Sequence, residues 1–163
     1  MSEELTLDDL NFRDRTLAEW QEDFTIELPK IPSTSIEVQK ALVEWNTAYQ
    51  RAYNCYNELI VMANNTENDL NKAKGIAVAK KVKEYKADNV GRLPARELIV
   101  ELVLTENEDL AKLQYTMNLL EIIKEFFENN KIKLEKAMPL ITNLSYMTHA
   151  SDKVSNHGGT SGL

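Results

Sequence analysis

Apolar residues recur every three or four positions along most of the chain, and no stretch alternates apolar and polar residues with the two-residue period of a strand. In residues 1–28, Leu7, Leu10, Leu17, Trp20 and Phe24 keep helical spacing. Thr6 is placed to cap, with Asp8 and Asp9 in the first turn, so a short amphipathic helix is expected that needs a surface to pack on. Pro29 and Pro32 stop it, and Ser33, Thr34 and Ser35 offer N-caps to a second helix.

The next segment predicts one long helix over 36–88. One heptad column holds Leu42, Tyr49, Tyr56, Ala63, Leu70 and Ala77, and its companion holds Trp45, Ala52, Leu59, Thr66 and Ala73. "NNTEN" at 64–68 is its weakest point, a kink or a turn. "DNVGRLPAR" breaks the pattern: Asn89 and Gly91 suit a helix end, and Pro94 suits a first turn. A second long helix is expected over 95–137. Its columns are Ile99, Glu106, Leu113, Leu120, Phe127, Leu134 and Ile141, and Val103, Leu110, Met117, Lys124, Lys131, Met138 and Ser145. A turn is expected near 128–130, and Pro139 should kink or end the helix, leaving "PLITNLSYM" as a short terminal one.

The pattern therefore predicts an all-α fold, a long antiparallel helical hairpin or coiled coil with short flanking helices. Three parts are expected: an acidic N-terminal arm at 1–28, a hairpin domain at 29–147, and a disordered polar tail at 148–163. The seam is assigned to Trp45, Tyr49, Tyr56, Leu59, Leu70, Leu113, Leu120 and Phe127. Tyr53, Ile60, Val61, Ile122, Ile123 and Phe126 fall outside the columns and need cover. A homo-oligomer of closed symmetry would supply it; the alternative is that the arm and the terminal helix fold back and complete a monomeric bundle.

Charge changes this picture. The 163 residues carry a formal charge of -7, but the distribution is uneven. Residues 1–29 hold nine acids and two Arg, whereas the remainder balances seventeen acids with seventeen bases. Within it, "KAKGIAVAKKVKEYK" (72–86) has six Lys and one acid. On a helix, Lys72, Lys83 and Lys86 share a side, Lys80 and Lys81 widen the band, and Arg92 and Arg96 come next in the turn. Such a band suits a nucleic-acid backbone, and Tyr85 could stack on an unpaired base. The candidate nucleic-acid-binding residues are thus Lys72, Lys80, Lys81, Lys83, Tyr85, Lys86 and Arg92. The competing explanation is an ordinary solvated helix face.

Catalytic chemistry finds little purchase. Both histidines, His149 and His157, fall in the expected tail, and Cys55 lies in an aromatic-rich helical stretch with no identifiable base. HExxH, CxxC and a Gly-rich phosphate loop are all missing from the sequence. Pairs such as Glu106 and Asp109, or Glu121 and Glu125, are ordinary for solvated helix faces. A non-enzyme is expected, with no cofactor and no metal. A single cysteine, an acidic start and no apolar run of membrane length lead us to expect a cytoplasmic protein that does not enter membranes.

The order of parts resembles the UvsY-type recombination mediators of tailed phages over about residues 36–146. The likeness rests on the long first helix, on "AKKVKEYKA", and on "VLTENEDLAKLQYTMNLLEIIKEFF". It implies a ring-forming helical protein of the host cell cytoplasm that binds single-stranded DNA and helps load a RecA-like recombinase onto strands coated by single-strand-binding protein. Lys80, Lys81 and Lys83 would carry the DNA contacts, with Lys72 and Lys86 in support. The alternative function is a helical protein-interaction module, a phage assembly chaperone or an inhibitor of a host factor, acting through the acidic arm.

Overall fold

The computed structural model describes residues 6–88 and 92–157. Four helices dominate: α1 (Leu17–Asp23), α2 (Ser35–Ala87), α3 (Arg96–Glu106) and α4 (Glu108–His157). Two short strands, β1 (Asn11–Phe12) and β2 (Arg15–Thr16), precede α1. The chain forms two compact units, Met1–Tyr56 with Glu125–Leu163, and Asn57–Lys124, so α2 and α4 each contribute residues to both.

α2 begins where its sequence can close its own amide ends. Thr34 Oγ1 accepts from the Glu37 backbone N–H at 3.3 Å, and the Glu37 carboxylate accepts from the Thr34 backbone N–H at 2.7 Å. Past that cap the helix is continuous, and "NNTEN" does not break it. Asn64, Asn65, Glu67 and Asn68 face water, while Ala63 and Leu70 on either side are 2% and 4% exposed. Burial at the flanks outweighs a propensity cost of about half a kcal/mol per residue.

In the first unit, α2 packs antiparallel on α4. The Trp45 indole N–H donates to the Leu134 carbonyl at 2.7 Å, the Tyr49 hydroxyl to Glu135 at 3.1 Å, and the Tyr56 hydroxyl to Glu128 at 3.1 Å. The heptad reading is one residue out for Tyr49 and Tyr56. Here the buried positions are Ala41, Ala48, Ala52 and Cys55, each at 3% exposure or less, and the two tyrosines flank them half-buried. Small side chains occupy the middle of this contact, and the larger rings lie over its rim and reach the α4 carboxylates. Trp45 is also half-buried, against a cluster of Val38, Ala41 and Ile141.

From Thr6 onward the acidic arm is a folded part of this unit. Arg13 and Asp14 make a two-residue turn with φ of 52° and 59°, which pairs Phe12 with Arg15 and Asn11 with Thr16. The single helix expected from Thr6 is therefore a turn, a minimal hairpin and then α1. Thr16, not Thr6, caps that helix, through a reciprocal bond with Glu19. Phe12, Trp20 and Phe24 converge on Phe127 of α4 with ring centroids 5.3, 5.5 and 5.7 Å away, and Phe127 is 0% exposed. The Trp20 indole N–H donates to the Phe12 carbonyl at 3.0 Å, tying hairpin to helix. Asp23 accepts from Arg15 at 2.7 Å and from Arg51 of α2 at 3.0 Å.

α4 overrides three sequence signals. Asn130 lies at the expected turn but is buried at 3% exposure, its amide donating to the Phe126 carbonyl and accepting from Gln21. Pro139 sits inside the helix, which continues past it. Proline has no N–H for the Glu135 carbonyl, at a cost of about 3 kcal/mol. Leu134 and Ile141, at 3% and 0% exposure, offset that cost on either side, and Trp45 donates to the adjacent Leu134 carbonyl. The expected disordered tail from Thr148 is helical as far as His157, and Thr148 is 9% exposed; residues 158–163 lie outside the described residues.

In the second unit, α2 packs antiparallel on α3 and the start of α4. Leu70, Ile99, Val103 and Leu110 form its buried cluster, with Val78, Val82, Leu113 and Met117 against it. The expected helix over 95–137 divides at Asn107, which has extended backbone and accepts from the Leu110 backbone N–H at 3.2 Å. That cap, with Glu108 and Asp109 in the following first turn, favours a fresh helix start there. Leu59 and Leu120, at 0% and 8% exposure, are buried as the seam requires. Asn89 and Gly91, the expected end of the first long helix, lie outside the described residues.

Two outcomes are expected from this packing. Phe127→Ala should lower unfolding stability by about 3–5 kcal/mol in urea titrations monitored by tryptophan fluorescence. A loss below about 1 kcal/mol would show that the arm does not pack on it. The second concerns pH. The hydrogen bond from Arg15, aided by the charges of Arg15 and Arg51, holds the Asp23 carboxyl below its ordinary value of 3.8. The Glu37 carboxyl is lowered too, chiefly by the Thr34 backbone bond. A lowered carboxyl stabilises the fold fully above its unfolded pKa and stops doing so as pH falls through its folded pKa. The urea midpoint should therefore drop below about pH 4. Asp23→Asn should have a lower midpoint at neutral pH and a shallower acid dependence, and an unchanged acid dependence would contradict this account.

Candidate nucleic-acid interface

The lysine-rich end of α2 divides its cations into two sets. Lys72, Lys80, Lys83 and Lys86 are exposed and span roughly a third of the helix circumference. They are spread over about 21 Å of axis, with a gap of about two turns between Lys72 and Lys80. None of the four is ion-paired with a described residue. The other two lysines are on the packed side and are half-buried. Lys74 donates to Gln114 at 2.6 Å, and Lys81 donates to Glu106 at 2.6 Å with Glu84 at 3.9 Å.

Helix geometry accounts for the division. Lys74 and Lys81 are seven apart, two turns along one face, and that face also holds Leu70 and Ala77 of the apolar contact. Each long stem covers apolar surface, and its ammonium is met by a polar group of α3 or α4. The Lys81 ammonium has its pKa raised, first by the hydrogen bond to Glu106, and stays charged. Lysines in the last turns of a helix also complement its dipole, so part of this enrichment serves α2 itself.

Two expected contributors are placed differently from the sequence reading. Lys81 belongs to the α2–α3 contact and not to the free strip. Tyr85 is half-buried against the apolar cluster, with the Lys81 ammonium 6.0 Å from its ring centroid, so it is not an open stacking platform. Arg92 is exposed ahead of α3, and Arg96 is exposed in its first turn. The strip also has an apolar member that sequence reasoning missed: Ile76, 73% exposed between Lys72, Lys80 and Lys83. Its signal was its place at helical spacing from Lys72, Lys80 and Lys83, outside both heptad columns. Among the described residues no group of three or more His, Cys, Asp or Glu is arranged to hold a metal ion, and no helix is long and apolar enough to cross a membrane. Cys55 is buried.

Comparison with models of known families, with curated proteins and with solved structures gave no match.

Lys81→Met should lower the urea midpoint slightly, and salt should shrink the difference, because a partly solvated ion pair is lost. Lys80→Met should leave the midpoint unchanged. Equal loss in both variants would refute the division of the lysines into packed and free sets.

Proposed function

We propose that this is a non-enzymatic binding protein that holds single-stranded DNA along the exposed strip of α2, as a recombination mediator for a RecA-like recombinase on strands coated by single-strand-binding protein. One observation carries the DNA-binding part: Lys72, Lys80, Lys83 and Lys86 lie exposed on one side of α2, while the intervening Lys74 and Lys81 are engaged by the fold. Four exposed ammonium groups spread over about 21 Å, none ion-paired with a described residue, can each neutralise a phosphate without reading sequence. Ile76 in their midst offers an apolar contact to a base. The recombinase and the coated strand come from the resemblance to the UvsY-type mediators.

Homo-oligomerisation is part of the reading. Val61, Ile76, Tyr115 and Ile122 of the second unit are large apolar residues 42–73% exposed. A second copy would cover some of them. The rival reading, a protein-interaction module working through the acidic arm, is less favoured, because Leu10, Phe12, Leu17, Trp20 and Phe24 of the arm are buried in the first unit and Asp23 is engaged by Arg51.

Anisotropy of labelled oligothymidylate tests the reading. Four phosphate contacts give a log–log salt slope of about −3 for a single strand, or a roughly fiftyfold loss from 50 to 200 mM salt. Lys72→Glu/Lys80→Glu/Lys83→Glu should abolish binding, whereas Lys81→Ala should keep most of it. No binding at low salt by the folded protein would overturn the DNA reading. Binding without relief of a recombinase blocked by coated DNA would overturn the mediator part alone.

A further inference from the structure

On the side of α2 next to the lysine strip, the second unit has an open cleft of about 700 Å³ between α2 and the start of α3. Its floor is Val78, Val82, Leu93, Ile99 and Val100, and its cationic lining is Lys74 and Arg96. Among the described residues no carboxylate lines it. Lys86 lies one turn beyond Val82 on the same side of the helix and extends the positive lip. In a chain of net charge -7, this cleft is apolar below and positive at its edge.

Gly75 stands in the wall, four residues before Ala79, and a Cβ added there would meet nothing within 4 Å. Glycine within a helix costs about 1 kcal/mol relative to alanine, and neither backbone conformation nor a close neighbour requires it here. Gly75 and Ala79 leave the wall low and the floor accessible.

We propose that this cleft docks an acidic amphipathic helix of a partner protein, its apolar side chains on Val78, Val82 and Ile99 and its carboxylates against Arg96 and Lys86. Charge complementarity selects that occupant: a basic helix would bring like charges to the lip. The cleft is of the size that accepts a few large apolar anchors, the usual mode for a helix laid in a groove. The cleft shares Lys86 with the solvent-facing lysine strip, but Gly75, Arg96 and its apolar floor lie outside that strip, and the proposal does not rest on DNA binding.

The test uses a fluorescein-labelled helical peptide with Leu along one face and Glu beside it, and a second peptide with Lys in place of every Glu. The full chain should bind the Glu peptide at least about tenfold more tightly than the Lys peptide. Gly75→Leu fills open space and replaces a poor helix former, so its melting temperature should hold or rise while Glu-peptide affinity falls by about tenfold or more. Arg96→Glu should weaken the Glu peptide and strengthen the Lys peptide. Equal affinity for both peptides, binding unchanged in Gly75→Leu, or no binding of either would overturn the proposal. Displacement of the Glu peptide by oligothymidylate, with both lost in Gly75→Leu, would assign the cleft to nucleic acid and overturn it as well.

Discussion

The contact that the first unit depends on most is the enclosure of Phe127. Four aromatic rings, Phe12, Trp20, Phe24 and Phe126, lie around it at centroid distances of 5.3 to 5.7 Å. Two long helices in contact bury only one stripe each, and alone they would leave this ring partly wet. The N-terminal residues provide the missing third side. Their hairpin and α1 exist in turn because Phe127 gives Phe12, Trp20 and Phe24 a surface, since four strand residues and a helix of seven have little stability by themselves. The negative charge of this segment is therefore carried on the outer side of a packed element, and one carboxylate, that of Asp23, is turned onto Arg15 and Arg51.

In the second unit the organising contact is a plainer one. Leu70 meets Ile99, Val103 and Leu110, and lysine stems extend the covered area at its margins. The same helix face that brings Leu70 and Ala77 inward takes Lys74 and Lys81 with it, which leaves the other four lysines facing water. A run of positive charge that looks uniform in the sequence is thus two populations: Lys74 and Lys81 complete the packing, and Lys72, Lys80, Lys83 and Lys86 face solvent.

The long helices were legible because burial and periodicity agree over many turns. Leu59, Leu70, Leu120 and Phe127 are buried where the heptad count puts them. Local signals fared worse. Asn130 and Pro139 are good turn and stop signals in isolation, and each is overridden by partners many residues distant, Gln21 for the one and Trp45 near the other. The seam shifts by one residue at Ala48 and Cys55 because small residues permit close approach, and a heptad count that favours large side chains passes over them. The hairpin at 11–16 was invisible because Arg-Asp is not a sequence that usually takes two positive φ angles. At the candidate site, the positions of the lysines were legible but not their engagement, since Glu106 and Gln114 lie on other helices.

The Arg13–Asp14 turn sets how the N-terminal segment meets the rest of its unit. Non-glycine residues at positive φ cost roughly 1–2 kcal/mol each, and the turn is retained against that cost. It holds Phe12 opposite Arg15, which points the ring at Phe127 and leaves Arg13 in water. Successive strand residues face opposite ways, so a slip of one position would exchange Phe12 for a polar neighbour at the aromatic cluster. The loop is thus a spacer of fixed count. Changes of residue type there, especially to Asn-Gly, keep the alignment and relieve the backbone, whereas inserting or deleting a single residue would undock the whole segment.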